Sequence, residues 1–197
     1  MCAIAAEHLD AIATLIAANA ELDVTDLANR SALDYAQATG QPQIIQLLEQ
    51  AKARQQQATE LLQAITQGNS LQVQQLLDAG LNPNAIAEGM SALGQAAAKG
   101  YVAIAQQLIS AGADINGRTN AFELNPLLYA AYRGHFEMVK LLLSAGADIH
   151  AQVDNHFNAL SYAHLGQQQK RNAGKPFGAL IHFLETQGLR APSRNSR

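Results

Sequence analysis

The sequence predicts an all-α fold, a solenoid of stacked helix pairs with β-hairpin fingers, in about six units including degenerate ends. Three observations predict it. The stretch Gly100–Asn116, ending Ser-Ala-Gly-Ala-Asp-Ile-Asn, recurs at Gly134–His150, ending Ser-Ala-Gly-Ala-Asp-Ile-His, with further copies at Gly68–Asn84 and His8–Asp23. Each strong copy carries apolar residues at helical spacing, such as Val139, Leu142 and Leu143, and then a glycine, Gly112 or Gly146, where the chain must turn through a left-handed conformation. The 197 residues are 48% hydrophobic with only 5% aromatic and no Trp, so the interior must be built from closely spaced aliphatic side chains. That composition suits packed helices.

Taken along the chain, the units are a partial first (about 3–23), a second (about 28–50), a third without a hairpin lead-in (about 58–84), a fourth (89–116), a fifth (122–150) and a divergent last (156–189). A shorter helix opens most of them at a capping residue followed by Ala or Pro and then Leu: Ser31-Ala-Leu33, Ser91-Ala-Leu93, Asn125-Pro-Leu127 and Asn158-Ala-Leu160. Ser or Asn accepts from the exposed amides, and Pro126 stands at the first helical position, where its missing N–H costs nothing. Ala96, Ala97, Ala130 and Ala131 are small enough for neighbouring helices to approach closely.

Between Gln50 and Thr59 the Gly-Ala-Asp turn is missing, and Gln-Ala-Lys-Ala-Arg-Gln-Gln-Gln-Ala strongly favours helix. Two outcomes fit: a long helix with a bend, or a junction between a two-unit and a four-unit block. The expected organisation is therefore 1–57 for the N-terminal units with their helical junction and 58–189 for the main stack. An inserted polar loop at 167–175 should be exposed, and 190–197 should form a basic tail.

Turn, short helix, Gly, longer helix, Gly-Ala-Asp and hairpin, repeating about every 33 residues, resembles the ankyrin repeat. The resemblance is strongest in Gly89–His150 and covers most of residues 5–189. It implies protein recognition through a concave face of short helices and through the hairpin fingers. It also implies a local structural role for His135, which stands at the repeat's usual histidine position beside Gly134.

In such a stack the solvent-facing residue two after the motif Leu forms a column: Tyr35, Gln63, Gln95, Tyr129 and Tyr162, with Tyr132 and Arg133 beside it. Tyrosine joins apolar area to a hydroxyl at low rotamer cost, which enriches it at recognition hot spots. The competing reading is that these rings brace adjacent repeats. The finger tips add Ile86, Met90, Arg118, Phe122, Glu123, Asn155, His156 and Phe157; either Phe could instead tuck under its own hairpin. The candidate partner-binding set is Tyr35, Gln95, Arg118, Phe122, Tyr129, Tyr132, Arg133, His156, Phe157 and Tyr162.

No catalytic, cofactor or metal site is expected. His150, His156 and His164 lack a Cys partner and zinc-ligand spacing. Ser91, Ser161 and Asn125 read as helix starts rather than nucleophiles, and Gly94, Gly112 and Gly117 lack the strand-Gly-helix context of a phosphate loop. The chain is thus expected not to be an enzyme and to take no small-molecule substrate.

Formal charge is −3, which argues against a general nucleic-acid binder. The charge is uneven. Residues 1–50 hold Glu7, Asp10, Glu21, Asp23, Asp26, Asp34 and Glu49 against Arg30, whereas 158–197 hold Lys170, Arg171, Lys175, Arg190, Arg194 and Arg197 against Glu185. The single cysteine, Cys2, allows no internal disulfide. The apolar start lacks a basic segment and is interrupted by Glu7, His8 and Asp10, and no run reaches the ~18 apolar residues of a membrane helix, so a cytoplasmic protein is expected. The leading functional expectation is an adaptor or inhibitor that docks another protein, in its sharpest form an immunity protein against a toxin or enzyme. The alternative is a scaffold or nucleic-acid-tethering module using the basic loop and tail.

Overall fold

A computed structural model describes residues 9–17, 20, 22–87, 89–118, 124–154, 157–169 and 172–190. The chain divides into two compact units, Met1–Gln57 and Ala58–Arg197. The tail beyond Arg190, and Lys170 and Arg171 of the insertion, lie outside the described residues.

The first unit contains α1 (Leu9–Ala17), α2 (Ala32–Ala38) and the first part of α3 (Pro42–Thr66). Its core is small: Ile12, Ala36, Ile44 and Leu48, with Leu33, Tyr35 and Ile45 packed around them. Local polar chemistry sets the entry to α2. Ser31 accepts from the Asp34 amide at 3.3 Å while Asp34 accepts from the Ser31 amide at 2.7 Å, a reciprocal cap that satisfies two orphan donors. The stretch that lacks the Gly-Ala-Asp turn lies inside α3, one uninterrupted helix of 25 residues. Nothing between Gln50 and Thr59 breaks a helix, and its Ala, Gln, Lys and Arg residues all propagate one.

The second unit is built of helix pairs. The end of α3 pairs with α4 (Ser70–Asp78), α5 (Ala92–Lys99) with α6 (Val102–Ser110), α7 (Pro126–Arg133) with α8 (Phe136–Ser144), and α9 (Ala159–Gln167) with α10 (Phe177–Thr186). Between α4 and α5 a finger forms from β1 (Ile86–Ala87) and β2 (Met90–Ser91), pairing Ile86 with Ser91 and Ala87 with Met90. A second finger closes through the bridge between Val153 and Phe157. The short helices start as expected: Ser91, Asn125 and Asn158 accept from Gly94, Leu128 and Ser161 amides at 3.0, 2.9 and 3.0 Å. One continuous core runs from Leu61 to Leu189 through Leu93, Leu127, Leu142, Leu160 and Leu180.

Two sets of contacts join neighbouring repeats. At the ends of α5 and α7, Gly100 and Gly134 adopt φ of 77° and 70°, left-handed values that close the helix and aim the chain into its partner. A ring from the next repeat lies close against each. A Cβ on Gly100 would meet His135 Nδ1 at 2.5 Å, and one on Gly134 would meet Phe177 Cζ at 2.6 Å. At the turns after the long helices, Asn84 donates to the Gly112 carbonyl at 3.2 Å and accepts from the Asp114 amide at 2.6 Å. Asn116 repeats this one unit later with Gly146 (3.3 Å) and Asp148 (2.8 Å).

The insertion departs from the expectation of a wholly exposed loop. Asn172 is only 3% exposed and donates to the carbonyls of Tyr132 (3.2 Å) and Gly166 (2.9 Å). Lys175 Nζ donates to the Arg133 carbonyl at 2.5 Å. The last carbonyls of α7 have no intrahelical partner, so polar residues are drawn inward to satisfy them.

Gly146 also has positive φ, 99°, but open space around it. Gly146→Ala should therefore cost roughly 1–2 kcal/mol for left-handed backbone alone. Gly134→Ala should cost a further ~1–3 kcal/mol as the Phe177 ring is displaced. Urea titration of both variants checks this; equal losses would mean the ring contact imposes no constraint.

Candidate functional site

The short helices of the second unit lie side by side, α7 between α5 and α9, so their outward side chains share a face. Tyr132 and Tyr162 meet edge to face with ring centroids 6.4 Å apart, and Phe157 leans on Tyr162 at 6.2 Å. The Arg133 guanidinium stands 5.9 Å from the Tyr132 centroid. Both tyrosines and Arg133 are half-buried, while Phe157 is 41% exposed. Burial, with Asp154 and Tyr129 adding to it, pushes the Tyr162 hydroxyl up, so it stays a neutral donor at physiological pH.

The remaining candidates fall into four situations. Tyr129 is 9% exposed, which corrects its assignment as a solvent-facing residue. Its ring lies beside α5, with Cδ2 at an ordinary contact distance of 3.9 Å from where a Cβ on Gly94 would stand, so Tyr129 packs in the seam between α5 and α7. Tyr35 lies in the first unit, where its hydroxyl donates to Asp26 Oδ2 at 2.7 Å and accepts from Arg30 at 2.7 Å, with that guanidinium 4.4 Å from the ring centre. The Tyr35 hydroxyl, followed by the Arg30 amide, holds the Asp26 carboxyl far below the usual carboxylate range. Gln95 donates to Thr66 Oγ1, and Arg118 donates to the Gln152 carbonyl at 3.3 Å, linking successive fingers. Phe122 and His156 lie outside the described residues.

Residues the column did not single out complete the face. His135 Nε2 donates to the Ala98 carbonyl at 3.2 Å, which fixes the tautomer because a carbonyl can only accept. Burial and then the positive Lys175, with Arg133 adding to it, lower its pKa, against the Ala98 hydrogen bond. His135 is therefore neutral at pH 7. Lys175, bonded to the end of α7, brings a further cation to the same place. Arg133 Nε is buried and has no hydrogen-bond partner among the described residues.

The depressed His135 pKa has a defined consequence for stability. The unfolded chain binds the proton more readily than the folded one, so the contribution is fully present above about pH 6.5 and is lost as pH falls through the folded-state pKa. Thermal melts across pH 5–8 should show stability falling toward the acid end, and His135→Gln should flatten that slope; an unchanged slope would place the dependence on other groups.

Among the described residues no helix is long and apolar enough to cross a membrane, and no group of three or more His, Cys, Asp or Glu could hold a metal ion. A family model described as "Ankyrin repeats (3 copies)" matches residues 38–119, 61–153 and 93–170, and one described as "Ankyrin repeats (many copies)" matches residues 1–49. No curated protein matches the chain.

Proposed function

We propose that this chain, which belongs to the ankyrin-repeat family, docks a folded protein partner on the short-helix face of its second unit. Ankyrin repeats generally mediate protein–protein interaction, and proteins built from them are typically non-enzymatic. The observation that carries the finer reading is the Tyr132–Tyr162–Phe157 cluster with Arg133 at its edge. Aromatic side chains with little freedom left to lose, flanked by Arg, are the residue types that dominate binding energy at protein interfaces. Internal packing does not consume them: Phe157 keeps much of its ring in water, and both tyrosines retain an accessible edge.

Gln95 and Arg118 extend this face toward the preceding repeat and the fingers, and Tyr129 supports it from the seam. Tyr35 belongs to another unit and takes no part in the proposed contact. A surface of this kind acts by occupancy, so the chain serves as an adaptor or an inhibitor. In the sharper version it is an immunity protein that covers the active cleft of a toxin or enzyme, and the captured partner's activity should then fall on mixing.

The test is quantitative capture of partners from the source cells on immobilised wild-type and variant chains. Tyr132→Ala with Tyr162→Ala should weaken the captured partner's binding by more than ~2 kcal/mol, about 30-fold, with helicity retained. Tyr129→Ala should instead act on stability, as removal of a buried ring does, by roughly 3 kcal/mol or more. Melting of the Tyr132/Tyr162 pair, rather than loss of affinity, would make those rings part of the core and remove the docking face.

A further inference from the structure

We infer that the partner presents an acidic segment with an apolar side chain at one end, its carboxylates lying over the C-terminal ends of the short helices α5 and α7. This rests on the docking face proposed above and adds the chemistry of what it binds.

The three short helices of the second unit read Ala-Leu-Gly-Gln-Ala-Ala-Ala-Lys, Pro-Leu-Leu-Tyr-Ala-Ala-Tyr-Arg and Ala-Leu-Ser-Tyr-Ala-His-Leu-Gly-Gln. None contains an acid, and their last turns carry Lys99, Arg133 and His164. The packing gathers these ends. His135 spans from α8 to the Ala98 carbonyl beside Lys99, and Lys175 is bonded to the Arg133 carbonyl. A helix C-terminus contributes roughly half a negative charge within its last turn. One full cation at the end of α5 and two at the end of α7 exceed that, so the edge is net positive. Burial does most to hold His135 neutral, and the Lys175 and Arg133 charges act in the same direction.

Arg133 also has the geometry for a carboxylate. Its guanidinium stands 5.9 Å from the Tyr132 ring centre, and its Nε is out of solvent with no hydrogen-bond partner among the described residues. The terminal guanidinium nitrogens suit pairing with a carboxylate.

The opposite end of the face has the reverse character. Asp154, in the finger, lies close enough to raise the Tyr162 pKa, and Phe157 beside it is exposed. This end offers no cation among the residues named, and the exposed Phe157 ring accommodates an apolar side chain. The polarity fixes a direction: apolar residue over Phe157 and Tyr162, acids over Tyr132, Arg133 and Lys99. A nucleic-acid strand, charged at every phosphate, would meet Asp154 unfavourably, and the chain's net charge of −3 gives it no general attraction.

The experiment pans a random peptide library, displayed on phage, against the full chain, and then measures the enriched peptides by fluorescence anisotropy alongside an oligouridine probe. The expected peptides carry an apolar residue followed by Glu or Asp. Their affinity should fall about tenfold or more with Lys99→Glu or Arg133→Gln, or with Glu→Gln in the peptide. Lys140→Glu, the same charge change on the long helix α8, should leave it unchanged. Enrichment of neutral or basic peptides, indifference to both Lys99→Glu and Arg133→Gln, or tighter binding of oligouridine would overturn the inference. Should the captured protein partner depend on Tyr132 and Tyr162 but on neither cation, the docking face stands and only its acidic complement falls. Independence from the tyrosines as well removes the face itself.

Discussion

The repeats of the second unit are held in register by rings laid on glycines. Gly68, Gly100 and Gly134 each end a helix in the left-handed region, and Tyr101, His135 and Phe177 of the following repeat approach where a Cβ would stand, the nearest atoms at 3.2, 2.5 and 2.6 Å. Glycine is needed twice over, for the backbone sign and for the space. The Asn84 and Asn116 bridges pin successive repeats at the turns after the long helices. A stack joined only between neighbours gains stability as a sum of such interfaces. Each interface must therefore be good by itself.

That register brings the residues of the proposed docking face to one surface. With α5, α7 and α9 shoulder to shoulder, residues at matching positions project from one surface, and Ala96, Ala97, Ala130 and Ala131, all fully buried, let the helices approach until only outward side chains remain accessible. Position within the turn then decides the fate of each aromatic. Tyr129 packs in the seam against α5, whereas Tyr132, three residues later, points toward α9 and meets Tyr162. The last repeat adds its own close approach. Gly166 stands so near the Tyr132 carbonyl that no side chain fits, and Asn172 enters to satisfy both carbonyls at once.

Much of this was legible in the sequence, because the features concerned are local. The period, the Ser and Asn caps, Pro126 at a helix start and the glycines at the turns all follow from chemistry within a few residues. What sequence could not place depended on neighbours. A column counted from Leu127 cannot show that the preceding repeat packs against Tyr129 and buries it. Tyr35 looked equivalent to Tyr162 by position, yet Asp26 and Arg30, a few residues upstream, occupy its hydroxyl. The insertion looked exposed because it is polar, but polarity was the reason its Asn172 and Lys175 were drawn in, since the end of α7 presents carbonyls that only donors can satisfy. Glutamine-rich residues 50–59 allowed either a bend or a junction, and the chain runs through them as one helix.

The proposed face draws on residues that also hold the stack together. Burial and the nearby Lys175 and Arg133 charges keep His135 neutral where it lies against Gly100, although its bond to the Ala98 carbonyl would also suit the charged ring. Gathering Lys175 and Arg133 at one edge costs the free chain some stability through their mutual repulsion, and the negative end of α7 offsets only part of it. A ligand that carries negative charge to this edge would relieve the remainder, so binding and folding would be linked and each would strengthen the other. The linkage has a direction in pH, because acid charges His135 and raises the repulsion that such a ligand would remove. If the proposed face binds as argued, the contact that aligns the repeats would tie recognition to the integrity of the stack.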